Sequence, residues 1–193
     1  MYLIFDTETN GLCKNFKAPM TNLDNWPRIT QIAWQLFDKD EKIISERTEL
    51  IKPDGWTVPK EEFFIKNNMS TERCEEFGLP LAEVLKSFVE DLAKAEYLIA
   101  HNMAFDANVV GAEFIRLNMT PDKMPTKICT LQESTDFCKL PGFYGNYKWP
   151  TLTELHVKLF QEEFEGAHDA MDDVRACAKC FFGLKEIGHI LKG

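Results

Sequence analysis

The chain has 193 residues, with 45% of them apolar, 12% aromatic and 27% charged, which is the composition of one ordinary globular domain over residues 1–193. Disordered, collagen-like and low-complexity readings are excluded. Lys and Arg total 22 against 31 Asp and Glu, a formal charge of −9, which disfavours a sequence-independent grip on duplex phosphates. An enzyme that holds one strand end through bound divalent cations escapes that argument, because the cations reverse the local sign.

No apolar run approaches the roughly 20 residues needed to span a bilayer, so no membrane role is expected. MYLIFDTETN has no basic leader and no apolar region before a cleavage site, so a signal peptide is not expected either. Six scattered cysteines in a chain able to build a core without staples point to a reduced, cytoplasmic setting. Cys177 and Cys180 form one C-x-x-C, but no second pair completes a zinc site.

In chain order, YLIFDTE (residues 2–8) opens with apolar side chains on both faces, as a central strand requires. After Gly11 comes a polar, Pro-punctuated stretch to Pro27. Then Ile29 to Asp38 and Lys42 to Ile51 read as strands joined in a hairpin by Lys39 to Glu41. Gln35, Leu36 and Phe37 superficially resemble a clamp-binding peptide but belong to the first of these strands, and we assign them to the core. Leu81, Val84, Leu85, Phe88 and Leu92 recur at helical spacing over residues 81–95. YLIAHN follows as a strand, a helix runs from Ala104 to about Asn118, and KICT is a short strand. Thr151 and Glu154 form a capping-box pattern for the next helix, and a last helix runs from about His168 to Phe182. The expected fold class is α/β, a mixed central sheet with helices packed on it.

Three clusters carry chemistry. Asp6 and Glu8 lie two apart on the first strand, so both side chains share a face. In HNMAFD (residues 101–106), Asp106 falls in the first turn of a helix, where a carboxylate is favoured and Asn102 can act as the cap. In HDAMDD (residues 168–173), helical spacing puts Asp173 on the face of Ala170, Cys177 and Cys180, and Asp172 on that of Arg175, Ala176 and Lys179. Asp173 is therefore expected inward, Asp172 toward solvent, and the two cysteines in the core. His168 can converge with Asp173 only from a loop before the helix, for which Gly166 is suited.

In this order DxE, HNxxFD and HDAxxD resemble the three motifs of the DEDDh branch of the DnaQ-like 3′ to 5′ exonucleases. The resemblance covers the chain from Met1 to about Phe182 and extends to NGL at 10–12, where the family usually has TGL, and to ITQIAW at 29–34. It implies a ribonuclease H-like fold and two divalent cations, Mg²⁺ or Mn²⁺, on Asp6, Glu8, Asp106 and Asp173, with Asp6 shared between them. The all-oxygen donor set suits those ions. It further implies His168 as the base that takes a proton from the attacking water, and contacts from Asn10, Leu12, His101 and Phe105 to the terminal nucleotide. For Leu12 and Phe105, core packing is an equal alternative.

The expected function is release of nucleoside 5′-monophosphates from the 3′ end of DNA, single-stranded or frayed. The same chemistry on RNA and a noncatalytic nucleic-acid-binding adaptor are the alternatives. Loss of any carboxylate would favour the adaptor, and none is lost. A DNA polymerase is a candidate partner, and the sequence leaves the oligomeric state open. In PGFYGNYKWP (residues 141–150), Trp149 is assigned to packing, while Phe143 and Tyr147 are open to base stacking.

Overall fold

The computed structural model describes residues 1–164, 166 and 169–190. Five strands, β1 (Tyr2–Thr9), β2 (Ile29–Phe37), β3 (Ile43–Leu50), β4 (Tyr97–Ala100) and β5 (Thr126–Cys129), form one mixed sheet in the order β3-β2-β1-β4-β5. β1 to β3 are antiparallel, β3 being joined to β2 by the expected hairpin, whereas β4 and β5 run parallel to β1. The helices are α1 (Glu62–Lys66), α2 (Thr71–Phe77), α3 (Leu81–Lys94), α4 (Met103–Arg116), the single turns α5 (Thr130–Glu133) and α6 (Thr135–Cys138), α7 (Leu152–Phe160) and α8 (Ala170–Glu186).

Alternation along β1 divides the core. Leu3 and Phe5 pack on one face with Val84, Leu85, Phe88 and Leu92 of α3 and with Val109 and Val110 of α4. Ile4 points the other way, into a second layer with Val174, Cys177, Phe181 and Leu184 of α8. Cys177 and Cys180 are thus core residues, and burial raises both thiol pKa values, Cys180 to about 12. Gln35, Leu36 and Phe37 are buried as well. Two buried carboxylates brace the α3/α4 side. Asp91 accepts hydrogen bonds from Trp34 Nε1, Ser45 Oγ and Lys94 Nζ. Glu113, with no exposure of its side chain, pairs with Arg28 at 2.8 Å and Arg116 at 3.2 Å.

Thr151 and Glu154 complete the capping box at the start of α7. At α4 the expectation needs correction, because Asn102 occupies the N-cap position without a side-chain capping bond. It adopts a left-handed conformation instead (φ 75°), a region that Asn tolerates better than most residues, and so turns the chain from β4 into α4. The short helices α1 and α2 were not anticipated. They surround a small cluster of Val58, Phe64, Met69 and Cys74. Among the described residues, no helix is long and apolar enough to cross a membrane.

Candidate active site

Parallel pairing of β1 with β4 and of β4 with β5 brings the C-terminal ends of three strands to one edge of the sheet. The candidate residues gather there. Asp6 stands opposite Ala33 and Glu8 opposite Gln31 of β2, both projecting from the face on which α8 packs. Asp173, in the first turn of α8, meets them from above. One carboxylate oxygen from each of Asp6, Glu8 and Asp173 can lie within 4.8 Å of the others. Asp172, one residue earlier, turns aside to pair with Arg175 at 3.4 Å, so the helical-face assignment was correct.

Asp106 approaches from the opposite side of β1. Thr7, between the two strand carboxylates, points toward α4, and both its backbone N–H (3.2 Å) and its hydroxyl (2.7 Å) donate to Asp106 Oδ1. The three-carboxylate group of Asp6, Glu8 and Asp173 does not include Asp106, whose charge nevertheless bears on Asp6 and Glu8. Asp169, the N-cap of α8, adds a fifth acid: one oxygen accepts from the Met171 N–H, and the other from Gln31 Nε2 at 3.3 Å. Thr7, Gln31 and Asp169 were not singled out from sequence. For Thr7 the period of two already required a side chain facing away from Asp6 and Glu8. For Asp169 the signal is its residue type near the start of the last helix, since Asp is favoured at an N-cap.

Electrostatically the cluster is under tension. Asp6 is a partly buried residue closely surrounded by protein atoms, and its pKa lies well above the usual carboxylate range. Burial is the largest cause, followed by repulsion from Asp106, Asp173, Glu8 and Asp169. Glu8 is pushed up to about 8, again by burial first and then by Asp173, Asp106 and Asp169. Asp106 rises to about 7 through burial, against the lowering effect of its bonds from Thr7. Among the described residues, no Lys, Arg or His forms an ion pair with Asp6, Glu8 or Asp106. An all-oxygen donor set of mutually repelling carboxylates fits hard divalent cations.

A groove of about 530 Å³ opens beside Glu8, lined by Thr7, Asn10, Leu12, Phe63, Phe64 and Phe105 among others. Leu12 is 80% exposed, which removes core packing as its role. Phe105 is half-buried, with its ring near those of Phe16 and Trp26. Asn10, standing where the family usually has Thr, ties three segments together: its N–H donates to the Arg28 carbonyl, its Oδ1 accepts from the Arg28 N–H and its Nδ2 donates to the Thr57 carbonyl. His101 has both ring nitrogens engaged, Nδ1 with Thr130 Oγ1 at 2.9 Å and Nε2 with the Pro150 carbonyl at 3.1 Å. Because the carbonyl can only accept, Nε2 carries the proton. Burial holds the ring neutral, with a pKa of about 4. Both ring nitrogens are therefore engaged within the protein. His168 lies outside the described residues.

The fold is of the ribonuclease H-like kind, and its acidic edge has the all-oxygen composition that suits divalent cations. A family model described as "Exonuclease" matches residues 3–181, and the chain belongs to that family, among the DnaQ-like 3′ to 5′ exonucleases that act on nucleic acid with divalent metal ions. Among curated proteins, DNA polymerase III PolC-type of Streptococcus pyogenes serotype M18 is 30% identical over 181 residues, covering 94% of this chain and 11% of that protein. The chain thus spans about a tenth of the length of such relatives. Among solved structures, E. coli Exonuclease I in complex with a dT13 oligonucleotide superposes with a TM-score of 0.72 at 19% identity, over 97% of this chain and 41% of that one. The nuclease domain of 3′hExo, a DEDDh family member bound to rAMP, gives 0.70 at 15% identity, over 97% and 92%.

Proposed function

We propose that this chain, as a single exonuclease domain over residues 1–193, removes nucleoside 5′-monophosphates from the 3′ end of single-stranded or frayed DNA. Asp6, Glu8, Asp106 and Asp173 would hold two divalent cations, Mg²⁺ or Mn²⁺, which when bound supply positive charge for the attacking and leaving oxygens. The observation that carries the reading is the convergence of Asp6, Glu8 and Asp173 at the mouth of the groove, with Asp106 held close by Thr7.

The residues divide the work. Thr7 occupies Asp106 Oδ1 and so orients Oδ2. The groove from Asn10 to Phe105 receives the terminal nucleotide, with Leu12 and Phe63 against its base and His101 bordering it. His168 takes the proton from the attacking water. A strand end reaches such a groove more readily than an intact duplex does, and the acidic surface offers no broad phosphate footprint. A DNA polymerase partner is consistent with the PolC-type relatives, and the unpaired cysteines suit a cytoplasmic setting.

The test is purified protein with Mg²⁺ or Mn²⁺, offered end-labelled single-stranded DNA, duplex DNA and RNA of matching sequence. Stepwise shortening from the 3′ end, fastest on single-stranded DNA and yielding mononucleotides, is expected. Faster shortening of RNA would reassign the substrate. Absence of cleavage would favour an adaptor, and cleavage of circular single strands at a comparable rate would make the protein an endonuclease.

A further inference from the structure

The segment between Lys139 and Thr151 is a built projection. Pro141 pairs with Tyr147, the Gly142 N–H donates to the Asn146 carbonyl at 2.9 Å, and the Lys148 N–H donates to the Leu140 carbonyl at 3.0 Å. Gly142 is required for this closure, since a Cβ there would lie 2.6 Å from the Asn146 carbonyl oxygen. At the tip a single 3₁₀ turn, Phe143–Gly145, holds Tyr144 in a left-handed conformation (φ 56°), which is costly for a residue with a bulky side chain.

That ordered backbone carries apolar rings out into water. Phe143 is 88% exposed and Trp149 62% exposed, the Tyr144 ring is fully exposed and Tyr147 is partly so. The assignment of Trp149 to packing is therefore corrected. The closed hairpin keeps the ring out in solvent, and Pro150 is the residue that is buried. A patch of this kind on a protein surface marks a partner.

Charge and position say which partner. Of the two lysines beside the rings, in a chain of formal charge −9, Lys148 is paired with Glu154 of α7, and Lys139 enters no ion pair among the described residues. The base of the hairpin is bonded to the candidate active site, because the Pro150 carbonyl accepts from His101, the first residue of HNxxFD and two residues before the start of α4, which carries Asp106. The hairpin thus rises at the same sheet edge as the acidic cluster, on the β4/β5 side, while the terminal-nucleotide groove opens at the end of β1.

We propose that Phe143, Tyr144 and Trp149 form a stacking platform for unpaired bases of the substrate strand upstream of its 3′ end. Aromatic faces accept any base, and Lys139 beside them suits a phosphate of the strand. The platform extends the substrate's footprint beyond the nucleotide in the groove, and this inference rests on the exonuclease reading above.

The test compares wild type with the triple variant Phe143→Ser/Tyr144→Ser/Trp149→Ser, whose exposed positions should leave the melting temperature unchanged. Affinity for a fluorescein-labelled dT20 is measured by anisotropy in EDTA, and kcat/KM is measured on dT20 and dT3 with Mn²⁺. The expected result is a loss of affinity for dT20 of about tenfold or more, with the preference for dT20 over dT3 collapsing to a similar degree. The aromatic-preserving variant Phe143→Tyr/Trp149→Phe should keep both. Unchanged dT20 affinity and length preference in the triple variant would overturn the platform and leave the hairpin to a protein partner. If wild type binds dT20 through the hairpin but cleaves nothing, the platform stands and the exonuclease reading falls.

Discussion

Replacing Glu8 by glutamine should abolish activity yet stabilise the metal-free protein. Glu8 passes from an ordinary value of 4.5 to about 8 on folding, driven by burial and then by Asp173, Asp106 and Asp169. At about 1.4 kcal/mol per pH unit, that interval caps the penalty near about 5 kcal/mol. Solvent contact at the groove screens the repulsion, so about 2 kcal/mol is the expected gain. For a chain of this size it corresponds to a rise of about 4–8 °C in melting temperature. The sign follows from proton linkage. Below about pH 4.5 the folded and unfolded states both hold the proton and no penalty exists; as the pH rises to about 8 the unfolded chain releases it first, and wild type loses stability relative to the variant. Calorimetric melting in EDTA should therefore show coincident transitions near pH 4 and separated ones near pH 8. Mn²⁺ should then raise wild type more than the variant. A variant that melts at or below wild type near pH 8 without metal would refute the account of a strained carboxylate cluster.

Asp173→Asn should abolish cleavage of a labelled oligonucleotide, whereas Asp172→Asn should leave turnover intact and change stability by no more than about 0.5 kcal/mol; the opposite ranking would place the wrong aspartate in the cluster. His168→Ala should slow single-turnover cleavage by about 10²- to 10⁴-fold while calorimetric titration of Mn²⁺ stays as in wild type, and loss of metal affinity would make it a ligand or support instead of the base. Glu113→Ala, which leaves Arg28 and Arg116 without their shared carboxylate, should cost about 3–5 kcal/mol in urea unfolding, and a loss below about 1 kcal/mol would mean that water replaces the pair.

Where periodicity alone decides geometry, the sequence was readable. The period of two placed Asp6 and Glu8 together, and the helical period separated Asp173 from Asp172, because both elements are regular over the residues concerned. Features set by tertiary contact were not readable. The helices α1 and α2 are five and seven residues long, too short to be stable by propensity, and they form around Phe64 and Cys74 within their own small cluster. Asn102 carries a residue type suited to capping, yet the turn out of β4 uses its backbone conformation. The Thr7–Asp106 contact joins residues 99 positions apart and becomes visible only once α4 is known to lie on the opposite face of β1 from α8.

The position of β1 has a consequence for how this protein fails under heat. Leu3 and Ile4, on the strand that carries Asp6 and Glu8, pair with both β2 and β4 and are buried between two core layers, so their amide protons should exchange with solvent only through global opening. The hairpin at 139–150, held by a few backbone bonds and hardly buried, should exchange through local openings. Activity on very short substrates should then decline along the global unfolding curve. Dependence on strand length should fade at lower temperature, as the hairpin opens while the acidic edge remains assembled.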